Sequence, residues 1–230
     1  MKPLTVLAWD TATDRCAAAL IRLRDGETEI LADYVGDSGF HSQVLPPQAA
    51  RMLTEHGLAP GQVDLLVVGR GPGSFTGLRT GLALAKGLAM GSGRPILGLG
   101  TLEVLAAQIL AAEPDPEALA APVIDARHGE VFTGLYGREG QVRPPAALPP
   151  LALPEVLSEA GRPVRVDGPA LDLVQAALAG SGLQVGSGGA KLVSAVFLAG
   201  LGAEIFRSEP EALRLYPPLP LYIRPPDLRP

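Results

Sequence analysis

Gly69-Arg70-Gly71-Pro72-Gly73-Ser74-Phe75-Thr76-Gly77-Leu78-Arg79-Thr80-Gly81 is the stretch whose reading decides the fold. The apolar run ahead of it, Val63 to Val68, predicts a buried strand. The strand enters a glycine-dense turn, and the turn opens a helix over 76–91. In that helix Gly77, Gly81, Ala85 and Ala89 recur at every fourth position. Residues four apart stack on one helix face, so they form a smooth stripe flanked by Leu78, Leu82, Leu84 and Leu88. An interior glycine costs about 1 kcal/mol relative to alanine. Gly81 and Gly87 therefore imply a compensating close approach of another backbone, from a neighbouring helix or a partner chain.

Working outward, Leu4 to Trp9, Cys16 to Leu23 and Thr28 to Val35 read as three strands, the last two joined at Arg24-Asp25-Gly26-Glu27. Gly36 to Phe40 reads as loop. Ser42 is a fitting N-cap for a helix over 43–57, which Gly57 ends. Pro46 and Pro47 fit it only in a first turn, where amides lack intrahelical partners. After the glycine-turn helix come a strand at Pro95 to Leu99 and a helix from Thr101 to Ala112. The second half repeats the order. Strands are expected at 122–124, 131–136, 141–142, 164–166 and 183–185, and helices from Glu155, over 170–179 and over 190–206.

Both halves read βββαβαβα, which implies mixed sheets flanked by helices. The fold class expected is α/β, in the duplicated RNase H-like, two-lobed arrangement of actin, sugar kinases and heat-shock ATPases. The expected division is an N-terminal lobe over 1–112, a C-terminal lobe over 117–215 whose last helix can pack back on the N-lobe, and a proline-rich tail over 216–230. The tail reads equally as an ordered strap or a loose end.

The chain has 230 residues, 47% of them hydrophobic, enough for a substantial core. Its net charge of −5 leaves no global footprint for nucleic acid or anionic membrane. One cysteine, Cys16, excludes an internal disulfide and reads as a small core residue. The N-terminus meets a strand at once, with no signal-peptide layout, and no apolar run reaches membrane-spanning length. A cytoplasmic protein is expected.

The glycine turn invites a phosphate reading, because turn amides and a helix N-terminus attract anions. The known fingerprints fail. Gly77 is followed by Leu78-Arg79 rather than Lys-Ser/Thr, and Thr76 stands where a dinucleotide loop has its third glycine. Asp10 ends the first strand where two-lobed ATPases hold a metal-nucleotide, but its turn, Asp10-Thr11-Ala12-Thr13, lacks a glycine. Asp10, Gly71, Gly73 and Arg79 are thus candidates for vestigial nucleotide or anion contacts; a tight structural turn is the other reading. His41, His56 and His128 form no His-x-x-x-His pair, and no metal site is expected. No Gly-x-Ser-x-Gly elbow is present.

Several stretches together resemble the TsaB (YeaZ) family. They are Asp10-Thr11-Ala12-Thr13, His41-Ser42 with Leu45-Pro46, the run Gly69 to Arg79, Ala85-Lys86-Gly87-Leu88-Ala89, Thr101-Leu102-Glu103, Asp125-Ala126-Arg127 with Gly129-Glu130-Val131, and Leu221-Tyr222-Ile223-Arg224. The resemblance implies the two-lobed ATPase-like fold and a role in making threonylcarbamoyladenosine in tRNA, at the adenosine 3' of the anticodon. It implies a non-catalytic scaffold and activator of TsaD, the transferase, in a heterodimer, with TsaE reached through that complex and tRNA met only indirectly. It also leaves a homodimer open. No cofactor is implied for this chain itself; ADP or ATP would sit at the interface with TsaD. TsaD-like chains carry Asn-His-Leu-Glu-x-His, whose histidines bind metal. Here Gly100-Thr101-Leu102-Glu103-Val104-Leu105 replaces both imidazoles. Trp9 stands where a smaller apolar residue is the family's habit.

The interface expected is the small-residue stripe and its neighbour helix: Leu45, Ala49, Met52, Leu53, Gly77, Leu78, Gly81, Leu82 and Ala85. The bland alternative packs this stripe inside its own lobe. The enzymatic alternative is a small-molecule kinase or ATPase acting through an interlobe cleft, dependent on Asp10. A direct tRNA binder would need a local patch such as Arg70, Arg79 and Lys86.

Overall fold

The computed structural model describes residues 2–37, 41–186, 188–209 and 211–224. Part of the expected loop (38–40) and the end of the tail (225–230) lie outside the described residues. The chain divides into two compact units, Met1–Thr101 with Val193–Leu221, and Leu102–Leu192 with Tyr222–Pro230.

In the first unit, strands β1 (Leu4–Asp10), β2 (Arg15–Arg24) and β3 (Glu27–Asp37) form an antiparallel meander. Strands β4 (Leu65–Gly69) and β5 (Ile96–Leu99) add in parallel, for the order β3-β2-β1-β4-β5. Every residue of β1 is buried, as expected for a strand covered on both faces. Strand alternation sorts the two faces. Leu7, Trp9, Ala18, Leu20, Leu66 and Val68 point to one side and share a core with helices α1 (His41–Glu55) and α2 (Phe75–Ser92). The other side receives a helix from the end of the chain.

That helix follows the second unit. There the meander is β6 (Leu119–Arg127), β7 (Glu130–Gly137) and β8 (Gly140–Leu148), extended in parallel by β9 (Val164–Asp167) and β10 (Gln184–Val185). The order β10-β9-β6-β7-β8 repeats that of the first unit. Helix α3 (Thr101–Ala111) leads in, and α4 (Leu153–Ser158) and α5 (Leu171–Leu178) pack on the inner strands. Helices α6 (Ala195–Ser208) and α7 (Ala212–Leu215) close the chain. The repeated order is the α/β arrangement of the actin, sugar-kinase and heat-shock ATPase class.

The division differs from the sequence expectation at α3, most of which belongs to the second unit. Helix α6 lies against β1, β2 and β4 in the first unit, the packing left open for the last helix. Gly202 lets α6 sit close: a Cβ there would come 2.6 Å from a methyl of Val67. Strand β8 is longer than the short strand expected and runs through Pro144 and Pro145. It is an edge strand, where a proline's missing donor can face outward. Helix α1 begins at His41 rather than after Ser42, so Pro46 and Pro47 fall in its second turn. They remove the amides that would bond the carbonyls of Ser42 and Gln43, two exposed residues.

Candidate functional site

Asp10 ends β1 with 1% of its surface exposed. Its Oδ1 accepts the Ala12 N–H at 2.8 Å, an Asx-type turn, and its Oδ2 accepts the Thr101 hydroxyl at 2.8 Å. Thr101 ties in the glycine turn twice. Its Oγ1 accepts the Gly71 N–H at 3.2 Å, and its own N–H donates to the Gly71 carbonyl at 2.8 Å. Gly69 must be glycine, since a Cβ there would lie 1.8 Å from Asp10 Oδ2. Burial pushes the Asp10 carboxyl above its ordinary value, against the opposing pull of the Ala12 and Thr101 hydrogen bonds and the His41 charge.

The turn donors are largely spent inside the chain. Ser74 N–H donates to the Ala12 carbonyl at 2.7 Å. Ser74 Oγ caps α2 by accepting the Gly77 N–H at 3.2 Å. Pro72 has no N–H to give. Three of the predicted anion contacts, Asp10, Gly71 and Gly73, do come together, with Gly73 packed on the Ala12 carbonyl. They meet each other. Arg79 does not join them; it is exposed, with its guanidinium stacked 3.8 Å over the Phe75 ring. Thr101 is the residue that sequence reading missed as Asp10's partner. It was legible only as a helix start, because the bond spans 91 positions.

The expected partner interface is corrected by burial. Leu45, Ala49, Met52, Leu53, Leu78, Leu82 and Ala85 are each at most 4% exposed, and Gly77 and Gly81 are buried with them. The stripe packs inside its own unit because β1 and its turn occupy it. Thr11 Oγ1 donates to the Gly77 carbonyl at 2.7 Å, and the Trp9 indole N–H donates to the Gly81 carbonyl at 3.0 Å. A Cβ on Gly77 would come 2.0 Å from the Thr11 carbonyl oxygen. The close approach that the glycines demand is met by β1. Trp9, the departure from the family's habit, fits because Gly81 leaves room for the indole.

The opposite face of α2 is free of such packing. Between α1 and α2 lies an open groove of about 540 Å³, walled by Pro46, Phe75, Arg79, Thr80, Ala83 and Leu84. Beyond it Met90 is 88% exposed, and a Cβ on Gly87 would meet no described residue within 4 Å outside its own stretch of helix.

In the second unit the matching turn is open. Asp125 accepts the Arg127 N–H at 2.7 Å and pairs with its guanidinium at 3.2 Å. Arg127 and His128 sit at φ 63° and 54°, in the left-handed region. Deeper in that unit Glu113 accepts Arg165 Nη2 and Nε at 2.6 and 2.8 Å, which holds its carboxyl below the ordinary glutamate range. Among the described residues no group of three His, Cys, Asp or Glu could hold a metal ion. No described helix is long and apolar enough to cross a membrane.

Known proteins give this geometry its context. Residues 38–209 match the family model described as TsaD: tRNA N6-adenosine threonylcarbamoyltransferase. The chain is 38% identical over 136 residues to the tRNA threonylcarbamoyladenosine biosynthesis protein TsaB of Escherichia coli, an alignment covering 59% of this chain and 56% of that one. It is 36% identical over 166 residues to TsaB of Bacillus subtilis, covering 70% and 69%. It therefore spans little more than half the length of the first relative and about two thirds of the second. A solved structure from Pseudomonas aeruginosa, described as similar to peptidase YEAZ, superposes at a TM-score of 0.74 with 31% identity, over 96% of this chain and all of that one. A family-model match over most of the chain, curated TsaB relatives and a YeaZ structure along nearly the full length agree: the chain belongs to the TsaB (YeaZ) family.

Proposed function

We propose that this chain acts in tRNA threonylcarbamoyladenosine biosynthesis as a non-catalytic scaffold that recruits and activates TsaD. The observation that carries the reading is the unoccupied outer face of α2. An interior glycine, Gly87, has no packing partner among the described residues beyond its own helix turn, and it adjoins an apolar groove rimmed by Phe75 and Ala83. A helix of TsaD laid across that face would make use of both features. The closed Asp10 turn supports a role without chemistry of its own, since carboxylate and turn donors are committed internally. TsaE would join through the complex, tRNA would be met indirectly, and nucleotide would bind only where TsaD helps form the site.

The test is size-exclusion with light scattering of this chain, alone and with TsaD of its own organism, followed by a tRNA-modification assay of each fraction. A stable complex that alone supports modification is expected. Ala83→Asp should weaken that complex at least ~100-fold, a desolvated charge at an apolar contact, with thermal stability unchanged. Full-strength pairing by this variant would move the interface elsewhere. Failure of the wild-type chain to pair or to change TsaD activity would end the scaffold reading. The rival kinase or ATPase predicts nucleotide turnover by the isolated chain that Asp10→Ala removes.

A further inference from the structure

The proline-rich segment after α7 is held on the first unit, at β5 and at the glycine turn. Tyr216 C=O accepts the Gly98 N–H of β5 at 2.9 Å. Leu221 N–H donates to the Arg70 carbonyl, in the glycine turn, at 2.7 Å. The receiving surface is shaped for this backbone. A Cβ on Gly98 would come 2.7 Å from the Pro217 carbonyl oxygen and 3.0 Å from Pro218 Cα, and one on Gly71 would come 3.1 Å from the Leu221 carbonyl oxygen. Gly98 lies within a strand at an ordinary φ, so its conformation does not call for glycine; the strap does.

We propose that residues 216–221 are a releasable latch on the glycine turn, which opens as one piece while the sheet beneath stays folded. The hold is sparse. Pro217, Pro218 and Pro220 have no N–H, and the Leu219 N–H is used locally on the Pro217 carbonyl. Leu219 is 55% exposed. A segment whose backbone makes few long-range bonds sits at the low end of local stability. The same prolines keep the free segment extended, so it re-seats without refolding. Its footing matters, because Arg70 and Gly71 lead directly into the Ser74 cap of α2. With the latch seated, Leu221 adds its bond on the Arg70 carbonyl to those that Leu99, Thr101 and Ala12 make with the turn. With it released, that bond is lost and the edge amide of Gly98 on β5 loses its Tyr216 partner. The latch stands apart from the pairing reading.

Hydrogen exchange on the full chain tests it. The Gly98 and Leu221 amides should exchange at matching rates, at least ten-fold faster than the Leu66 amide, which bonds Pro95 across β4 and β5. Gly98→Ala should speed Leu221 exchange at least ten-fold and open the Tyr222–Ile223 bond to chymotrypsin, with Leu66 unaffected. Protection of Gly98 and Leu221 equal to that of Leu66 would make the segment a permanent part of the sheet and overturn the latch. So would Leu221 exchange that ignores Gly98→Ala. Should that variant not fold, Leu221→Pro removes the donor without adding bulk to β5. Faster Gly98 exchange in it supports coupled release, and unchanged Gly98 exchange refutes it.

Discussion

The two faces of α2 carry similar residues and lead opposite lives. On the inner face Gly77, Gly81 and Ala85 are buried, and the two glycine carbonyls accept bonds from Thr11 and Trp9. On the outer face Ala83, Gly87 and Met90 are exposed, and no described residue beyond the helix itself approaches the Cβ position of Gly87. A small residue in a helix signals close approach, but not whether the visitor is the chain's own sheet or another molecule. The neighbours decide. Leu78 and Leu82 flank the inner stripe and draw it into the core, whereas Arg79 and Lys86 keep the outer one in water.

The hardest blow to this contrast is Gly77→Val. Its side chain would meet the Thr11 backbone, which cannot yield cheaply, so the variant should lose about 3 kcal/mol or more. A calorimetric scan near the wild-type Tm would show that the inner face is loosely packed after all. Next, Thr101→Val keeps the shape but strands Asp10 Oδ2 and the Gly71 N–H. Denaturant titration should show a loss of about 2 kcal/mol. Gly87→Ala runs the other way. With open space and a helical backbone, alanine should stabilise the isolated chain by up to about 1 kcal/mol, while weakening TsaD pairing if a partner backbone rests there. A fall in Tm would erase the distinction between the faces.

The smallest effects are in pH dependence, and they separate the units. Asp10's folded pKa is raised, so its contribution is fully present below the ordinary 3.8 and fades as pH rises through the folded value. Glu113's folded pKa is lowered, so its contribution is present above the ordinary 4.5 and fades as pH falls through the folded value. Asp10→Asn should therefore flatten the loss of stability on the rising side, and Glu113→Gln the loss on the acid side. Urea midpoints measured across pH for each variant check both signs; the same slope change in both would contradict them.

Much of the fold was legible because its signals are local. Continuous apolar runs marked β1 and β4, and a glycine-dense turn followed by a small-residue stripe marked α2. What escaped was set at long range. Prolines 144 and 145 argued for loop until β8 proved to be an edge strand. That α6 can return to the first sheet was open in the sequence reading, but no local pattern decides it, because its apolar face would suit either unit. At the site, Asp10, Gly71 and Gly73 stood out by residue type, yet their meaning rests on Thr101, far along the chain. The residues expected at an interface, Leu45, Ala49, Gly77 and Gly81 among them, lie instead in the core of their own unit. Helical spacing finds a stripe but cannot say which stripe the sheet claims when both are small.

Trp9 is the chain's single tryptophan, and it is fully buried with its indole N–H bonded to the Gly81 carbonyl. The protein thus carries its own optical reporter, confined to one unit. Its fluorescence should be that of an indole in an apolar setting and should redden when α2 lifts from β1. Events confined to the second unit, whose aromatic residues are Phe132, Tyr136 and Tyr222, would leave that emission unchanged. Intrinsic emission read beside far-ultraviolet circular dichroism would then show, without any label, whether the two units melt together or in turn.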